Sequence, residues 1–216
     1  MKRKMICNKM SILLLATIIP ILYCIIFWAA LDNADAMKNV DWNKLQKESQ
    51  NILQKNNSDI MANFHYIISL SNTGMIEEAY NHIDYIKENI SLEELNILLA
   101  PHIAKLDNDP DNILLHNYAA FSGTLNSEYE KSIPYFKRLV ELEPDNIWIR
   151  NFLAATYLEL KEYEQAKKEI NKTLEIKNNN YSHLILALIY YEKGDYINAL
   201  IELGRSGDLG KKIIFN

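Results

Sequence analysis

Residues 113–146 read ILLHNYAAFSGTLNSEYEKSIPYFKRLVELEPDN, and residues 147–180 read IWIRNFLAATYLELKEYEQAKKEINKTLEIKNNN. Each stretch holds two helix-length apolar patterns with a short polar break between them. The echo of DPDN at 109–112 by EPDN at 143–146 fixes the repeat at 34 residues. A period in this range signals stacked supersecondary units, in which each copy buries its apolar face on its neighbours. Apolar or small residues recur in register. Ala119, Ala120, Gly123, Tyr129, Ser132, Phe136 and Leu139 of the first stretch correspond to Leu153, Ala154, Tyr157, Tyr163, Ala166, Ile170 and Thr173 of the second. A third copy, slipped by one residue, starts near Asn180 and carries Leu186, Ala187, Tyr190, Gly194, Tyr196, Ala199 and Leu203. The small residue at Ala120, Ala154 and Ala187 permits close helix approach, with large residues filling the opposing groove.

Upstream, residues 59–91 give a degenerate copy in which Gly74, Ala79, Ile83 and Ile86 keep the order. Residues 92–110 read as an additional helix, either an insertion or half of a worn repeat. Local signals punctuate the stack. Pro110 and Pro144 end helices, Asp111 and Asp145 are expected to cap those that follow, and Ser127 with Glu130 reads as a capping box. Pro134 falls two turns into a helix, where a lost hydrogen bond and a mild kink are expected.

Outside the repeats, the N-terminus supplies an address. Residues 11–31 carry no charged side chain, and about twenty helical residues span the roughly 30 Å hydrocarbon layer. Lys2, Arg3, Lys4 and Lys9 precede this span, so the positive-inside rule sets a basic tail, residues 1–10, in the cytoplasm and the remainder outside. The span is longer than the core of a cleavable signal peptide, although the Ala34-Asp35-Ala36 triplet leaves processing open. Tyr23 before Cys24 excludes a lipid-attachment motif. Residues 32–58 form a juxtamembrane linker, with Val40, Trp42, Leu45, Ile52 and Leu53 on an amphipathic helix that either docks on the first repeat or rests Trp42 in the headgroup region.

The 49% hydrophobic content suits a folded chain, and the net charge of −5 argues against nucleic acid as a partner. Both cysteines, Cys7 and Cys24, precede the repeats, so no disulfide framework or thiolate metal site holds the body. His65, His82, His102, His116 and His183 include no i, i+4 pair, and no phosphate-binding Gly loop or nucleophile elbow is present. The Glu pairs lie on solvated helix faces. Neither an enzyme activity nor a metal or cofactor is expected.

The repeat pattern resembles the tetratricopeptide repeat family. Ala187, Tyr190, Gly194, Tyr196 and Ala199 follow its order of small residue, aromatic, Gly, aromatic and Ala. Lys161 replaces the Gly of the second copy, and His116, Arg150 and His183 replace the family's Trp. The resemblance implies an all-α fold, a right-handed α-solenoid of helix–turn–helix units at 113–146, 147–180 and 180–213, here preceded by one transmembrane helix. It also implies a protein or peptide partner laid along the face formed by the first helices. The family's groove-lining offsets fall on Leu114, Asn117, Phe121, Trp148, Asn151, Tyr181 and Tyr191, with Ala155, Leu158, Leu184 and Leu188 beside them. No basic residue stands at these offsets to clamp a carboxylate, so an apolar or aromatic peptide or helix is the expected occupant. The chain thus reads as a membrane-anchored interaction scaffold, or alternatively as a non-catalytic accessory subunit of an envelope enzyme or secretion complex. Self-association through the apolar tail, residues 204–216, is a third reading; otherwise that tail folds back over the last repeat.

Overall fold

The computed structural model describes residues 40–215, with side chains as far as Lys211. The span expected at 11–31, the basic tail and the start of the linker lie outside the described residues. Residues 39–216 belong to one compact unit. Among the described residues every regular element is helical, and none is long and apolar enough to cross a membrane.

The helices run α1 (Trp42–Leu53), α2 (Ile60–Thr73), α3 (Ile76–Asn89), α4 (Leu92–Ile103), α5 (Ile113–Leu125), α6 (Tyr129–Leu142), α7 (Ile147–Glu159), α8 (Tyr163–Ile176), α9 (Asn180–Glu192), α10 (Tyr196–Arg205) and α11 (Asp208–Phe215). A short 3₁₀ turn, Ala104–Asp107, follows α4. The pairs α5–α6, α7–α8 and α9–α10 are antiparallel hairpins, and α6 packs on α7 as α8 packs on α9. Ala120, Ala154 and Ala187 are buried at equivalent places, as are Ala79, Ser132, Ala166 and Ala199. Phe121, Phe136 and Phe152 form the aromatic centre, with ring centroids 5.0–6.3 Å apart.

One turn is built four times. Backbone N–H groups of Met75, Glu128, Glu162 and Asp195 donate to the carbonyls of Leu70, Gly123, Tyr157 and Tyr190 at 2.8–3.0 Å. The residue before each donor is left-handed: Gly74 at φ +83°, Ser127 and Lys161 at +58°, Gly194 at +76°. This is a helix C-terminal motif that favours Gly, here tolerated by Ser and Lys at a cost of about 1–2 kcal/mol each. It also explains why the expected Ser127–Glu130 capping box does not form. Ser127 closes α5 instead of opening α6, whose boundary residue Glu128 makes no side-chain cap.

The DPDN and EPDN loops resolve differently from the sequence expectation. The caps are the final asparagines, not Asp111 and Asp145. Asn112 Oδ1 accepts from the Leu115 N–H, and Asn146 Oδ1 from that of Ile149. Asn179 repeats the arrangement with Ser182. Asp111 turns away to pair with Arg138. Helix α6 runs on through Pro134. At the C-terminus only Gly207, at φ +64°, breaks the helix. Gly204 lies inside α10 and Gly210 inside α11, which folds back onto α9 and α10.

The first hairpin departs from simple stacking. Helix α2 touches α1, α3 and α4, and also α7, two repeats onward. Helices α2 and α3 therefore cross the face that the first helices of the next two repeats present.

Candidate functional site

The crossing is held by specific contacts. Asn72 on α2 donates to Asn117 Oδ1 at 2.8 Å and accepts from Asn146 Nδ2 at 3.1 Å. His65 Nε2 meets the Tyr118 hydroxyl at 2.6 Å inside the core. Burial, assisted by the nearby charge of His102, lowers the His65 pKa to about 4, and burial raises the Tyr118 hydroxyl well above its usual range. The imidazole is thus neutral, and the pair is a structural link between α2 and α5. Gly74 ends α2 directly over Trp148, where an added Cβ would overlap the indole ring. Tyr80 of α3 stacks near Phe152 of α7, with centroids 6.4 Å apart.

These contacts redistribute the residues expected to line the groove. Leu114, Asn117 and Phe121 are buried, with Asn117 fully so. They are not available to a partner, because the α2–α3 hairpin occupies their side of α5. Asn151 is buried as well, accepting from the Ser182 hydroxyl at 2.9 Å and donating to Asn179. Trp148 is half-buried between Gly74 and Tyr181. Of the seven, Asn151 and Tyr181 line the apolar cleft, and Tyr181 is the half-exposed one of the two. Tyr191 is exposed, edge-on to Tyr196 at 5.7 Å, beyond the groove end.

One apolar cleft on this face, of about 390 Å³, is bounded by four helices. Ile76 and Tyr80 of α3 form one wall. Phe152, Ala155 and Leu158 of α7 form the floor, and Tyr181, Leu184 and Leu188 of α9 the other wall, with Leu209 of α11 at its edge. Glu77, Glu159, Asn81 and Asn151 are the polar residues on the lining, so its charged groups are acidic. The sequence offsets pointed to Ala155 and Leu158 of α7 and to the three α9 residues, and not to Phe152. They carried no signal for Ile76, Tyr80 or Leu209, which reach the cleft only through the hairpin crossing and the C-terminal fold-back.

The position where the family carries Trp is polar here and has its own logic. His116 bonds the Pro110 carbonyl at 2.8 Å, Arg150 the Pro144 carbonyl at 3.2 Å, and His183 the Asn178 side chain at 2.7 Å. Each also faces the second helix of its own repeat. His116 leans on Tyr135, Arg150 pairs with Glu169 at 2.9 Å, and His183 meets Glu202 at 2.6 Å. These side chains tie the preceding loop to the hairpin, with no metal-type cluster of His, Cys, Asp or Glu among the described residues.

The tetratricopeptide repeat family model matches residues 125–189. That span runs from the end of α5 to near the end of α9, where the repeats are most regular. Among solved structures, the chain is similar to MamA 41-end from Desulfovibrio magneticus RS-1, at 15% identity over 80% of this chain and 97% of that one, with a TM-score of 0.47. It is also similar to MamA AMB-1 (16%, 84% and 94%, 0.47) and MamA MSR-1 (16%, 84% and 92%, 0.46). No curated protein matches the chain.

Proposed function

We propose that this chain is a membrane-anchored, non-catalytic interaction scaffold that holds an apolar or aromatic helix or peptide in the cleft between α3, α7 and α9. The observation that carries this reading is the cleft itself. It is lined by Ile76, Tyr80, Phe152, Tyr181, Leu184 and Leu188, and Leu188 and Tyr80 remain about half exposed. Open apolar surface of this kind on a folded chain marks an interaction site. A helix laid in a groove contributes side chains at i, i+3, i+4 and i+7. Glu77 and Glu159 favour basic residues flanking that stripe over an acidic tail. The repeat architecture supports a protein partner. The charge-free stretch 11–31 supports anchoring with the repeats outside the cytoplasm.

Photocrosslinking of the full chain in its native membrane tests the cleft. A crosslinker at Leu188 should capture one protein that a crosslinker at buried Leu114 does not. Leu188→Glu should weaken binding of that protein's apolar segment at least about tenfold, equal to about 1.4 kcal/mol, without lowering the melting temperature. Capture only through an acidic C-terminus, or binding indifferent to Leu188→Glu, would overturn the assignment. Release of the chain by alkaline wash would separately overturn the anchor.

A further inference from the structure

A second cavity, of about 280 Å³, adjoins the cleft, and the two share Tyr80, Phe152, Ala155 and Glu159. They lie on opposite flanks of α7. Asn151 and Leu158 turn to the cleft, whereas Thr156 turns to the second cavity. Along α3, Ile76 and Glu77 line the cleft, and Ile83 and Lys87 line the second cavity. Tyr80 therefore stands on the ridge between them, half-exposed, its ring stacked near Phe152. The second cavity sits towards the C-terminal end of α5, beyond the covered Asn117. Its floor is apolar, formed by Ile67, Leu125 and Phe152, all buried. Asp84, Lys87 and Glu159 on its lining are exposed, so it opens to solvent. Protein interiors leave few voids larger than a water molecule, and two adjoining apolar ones of this size are places for ligand side chains. Glu159, on both linings, makes no ion pair with any described residue.

We propose that the two cavities are paired anchor pockets for one amphipathic helix of a protein partner, with bulky apolar side chains at i and i+7 and a Lys or Arg between them. The inference rests on the cleft as an interaction site and specifies what enters it. Because the cavities flank α7, their centres lie about one helix spacing, 8–10 Å, apart. Seven residues of an α-helix rise about 10 Å, and residues i, i+3, i+4 and i+7 share one face. The first and last of these fill the cavities. The two between them cross the Tyr80 ridge, where a small residue clears the ring and a basic one reaches Glu159. That carboxylate sets the register, since only a helix with its basic residue between the anchors brings it beside Glu159. Glu77 extends the acidic field on the cleft side, whereas Lys87 next to Asp84 leaves the far side close to neutral. The basic residue therefore belongs at the centre of the helix, not at its α5 end.

The test uses the full chain in detergent, with short alanine-based helices as probes. They carry Phe at i alone, at i and i+7, or at i and i+11, each with Lys or Glu at i+4. The i, i+7 helix with Lys should bind at least about tenfold more tightly than the single-Phe helix or the i, i+11 helix. Glu159→Lys should reverse the preference for Lys over Glu at i+4. Thr124→Phe, which fills the second cavity, should reduce the i, i+7 helix to the single-Phe level, whereas Leu188→Glu should weaken every probe. Without any variant, benzophenone in place of each Phe should crosslink one end to Leu184 or Leu188 and the other to Leu125 or Tyr129. Equal binding of single-Phe and i, i+7 helices, or crosslinking of both ends to α9, would overturn the paired pockets. So would an i, i+7 advantage that survives Thr124→Phe with helix content unchanged. In those cases continued sensitivity to Leu188→Glu would keep the cleft as a single-anchor site. A panel in which nothing binds would also overturn the paired pockets, and the photocrosslink at Leu188 would then decide the cleft on its own.

Discussion

Leu114, Asn117 and Phe121 on α5 hold the same repeat offsets as Tyr181, Leu184 and Leu188 on α9. The first three are buried, whereas the second three line an open cleft. Within the α5–α6 hairpin Phe136 packs on Phe121, whereas the covering of Asn117 comes from outside it. The α2–α3 hairpin crosses α5 and α7, seating Asn72 on Asn117 and Gly74 on Trp148, and stops short of α9. A repeat face is therefore only a potential binding surface. Which part of it remains available depends on where a neighbouring segment of the same chain comes to rest.

The sharpest way to break this comparison is to truncate equivalent residues on the two faces. Phe121→Ala removes a ring packed between Phe136 and Phe152 and should cost about 3–5 kcal/mol in urea unfolding. Equal losses for Phe121→Ala and Leu188→Ala would mean that the two faces are equally enclosed.

Acid should strike the covered side next. His65 has its pKa lowered to about 4 by burial and by His102, against about 6.5 in the unfolded chain. A base with a depressed folded pKa binds protons more readily when unfolded. Its neutral form therefore supports the fold fully above pH 6.5, and that support is lost as pH falls towards 4, amounting to about 3 kcal/mol. Denaturant midpoints between pH 7 and 4 should show this loss, and His65→Gln should flatten the profile. His82 and His116 shift in the same direction through burial and leave a residual slope.

The hairpin junction is the third point of attack. Gly74→Ala places a Cβ against Trp148 at φ +83° and should cost about 1–3 kcal/mol. Trp148 fluorescence should shift as the indole is displaced, while the wall formed by Leu184 and Leu188 stays intact. Lys161→Gly relieves the left-handed strain at the equivalent turn, where nothing crosses, and should gain about 0.5–1 kcal/mol by thermal melting. Opposite signs at two equivalent turns would isolate the effect of the crossing. Smallest of all, Leu188→Ala should change stability by less than about 1 kcal/mol, because the side chain it shortens is 42% exposed.

The helices and their order were legible because each copy restates the same local chemistry. Ala120, Ala154 and Ala187 mark close contacts, and the period announces the hairpins. The caps were misread by one residue, since Asp and Asn are comparable cap residues and only the backbone angles at Asn112 and Asn146 choose between them. Ser127 looked like a cap because a hydroxyl three residues before Glu normally is one. The alignment of Ser127 with Lys161 and Gly194 carried the correct signal: a residue in the family's Gly position ends a helix. The polar pairs Arg150–Glu169 and His183–Glu202 were also present in the sequence, spaced alike at nineteen residues, and could have been found as a substitution for the missing Trp.

By itself the sequence determined what neighbouring residues decide: helix after helix, the turn between partners, and the small and large side chains through which hairpins stack. Those preferences act over one or two turns of backbone and repeat with the period. Only the tertiary structure decided that α2 and α3 lie across α5 and α7, that Ile76, Tyr80 and Leu209 join a cleft, and that Phe121 is covered while Leu188 is open. Burial of a face depends on which distant segment reaches it first and fits it best, and hydrophobic contact is non-directional. The same apolar offset can therefore serve as core in one repeat and as binding surface in another.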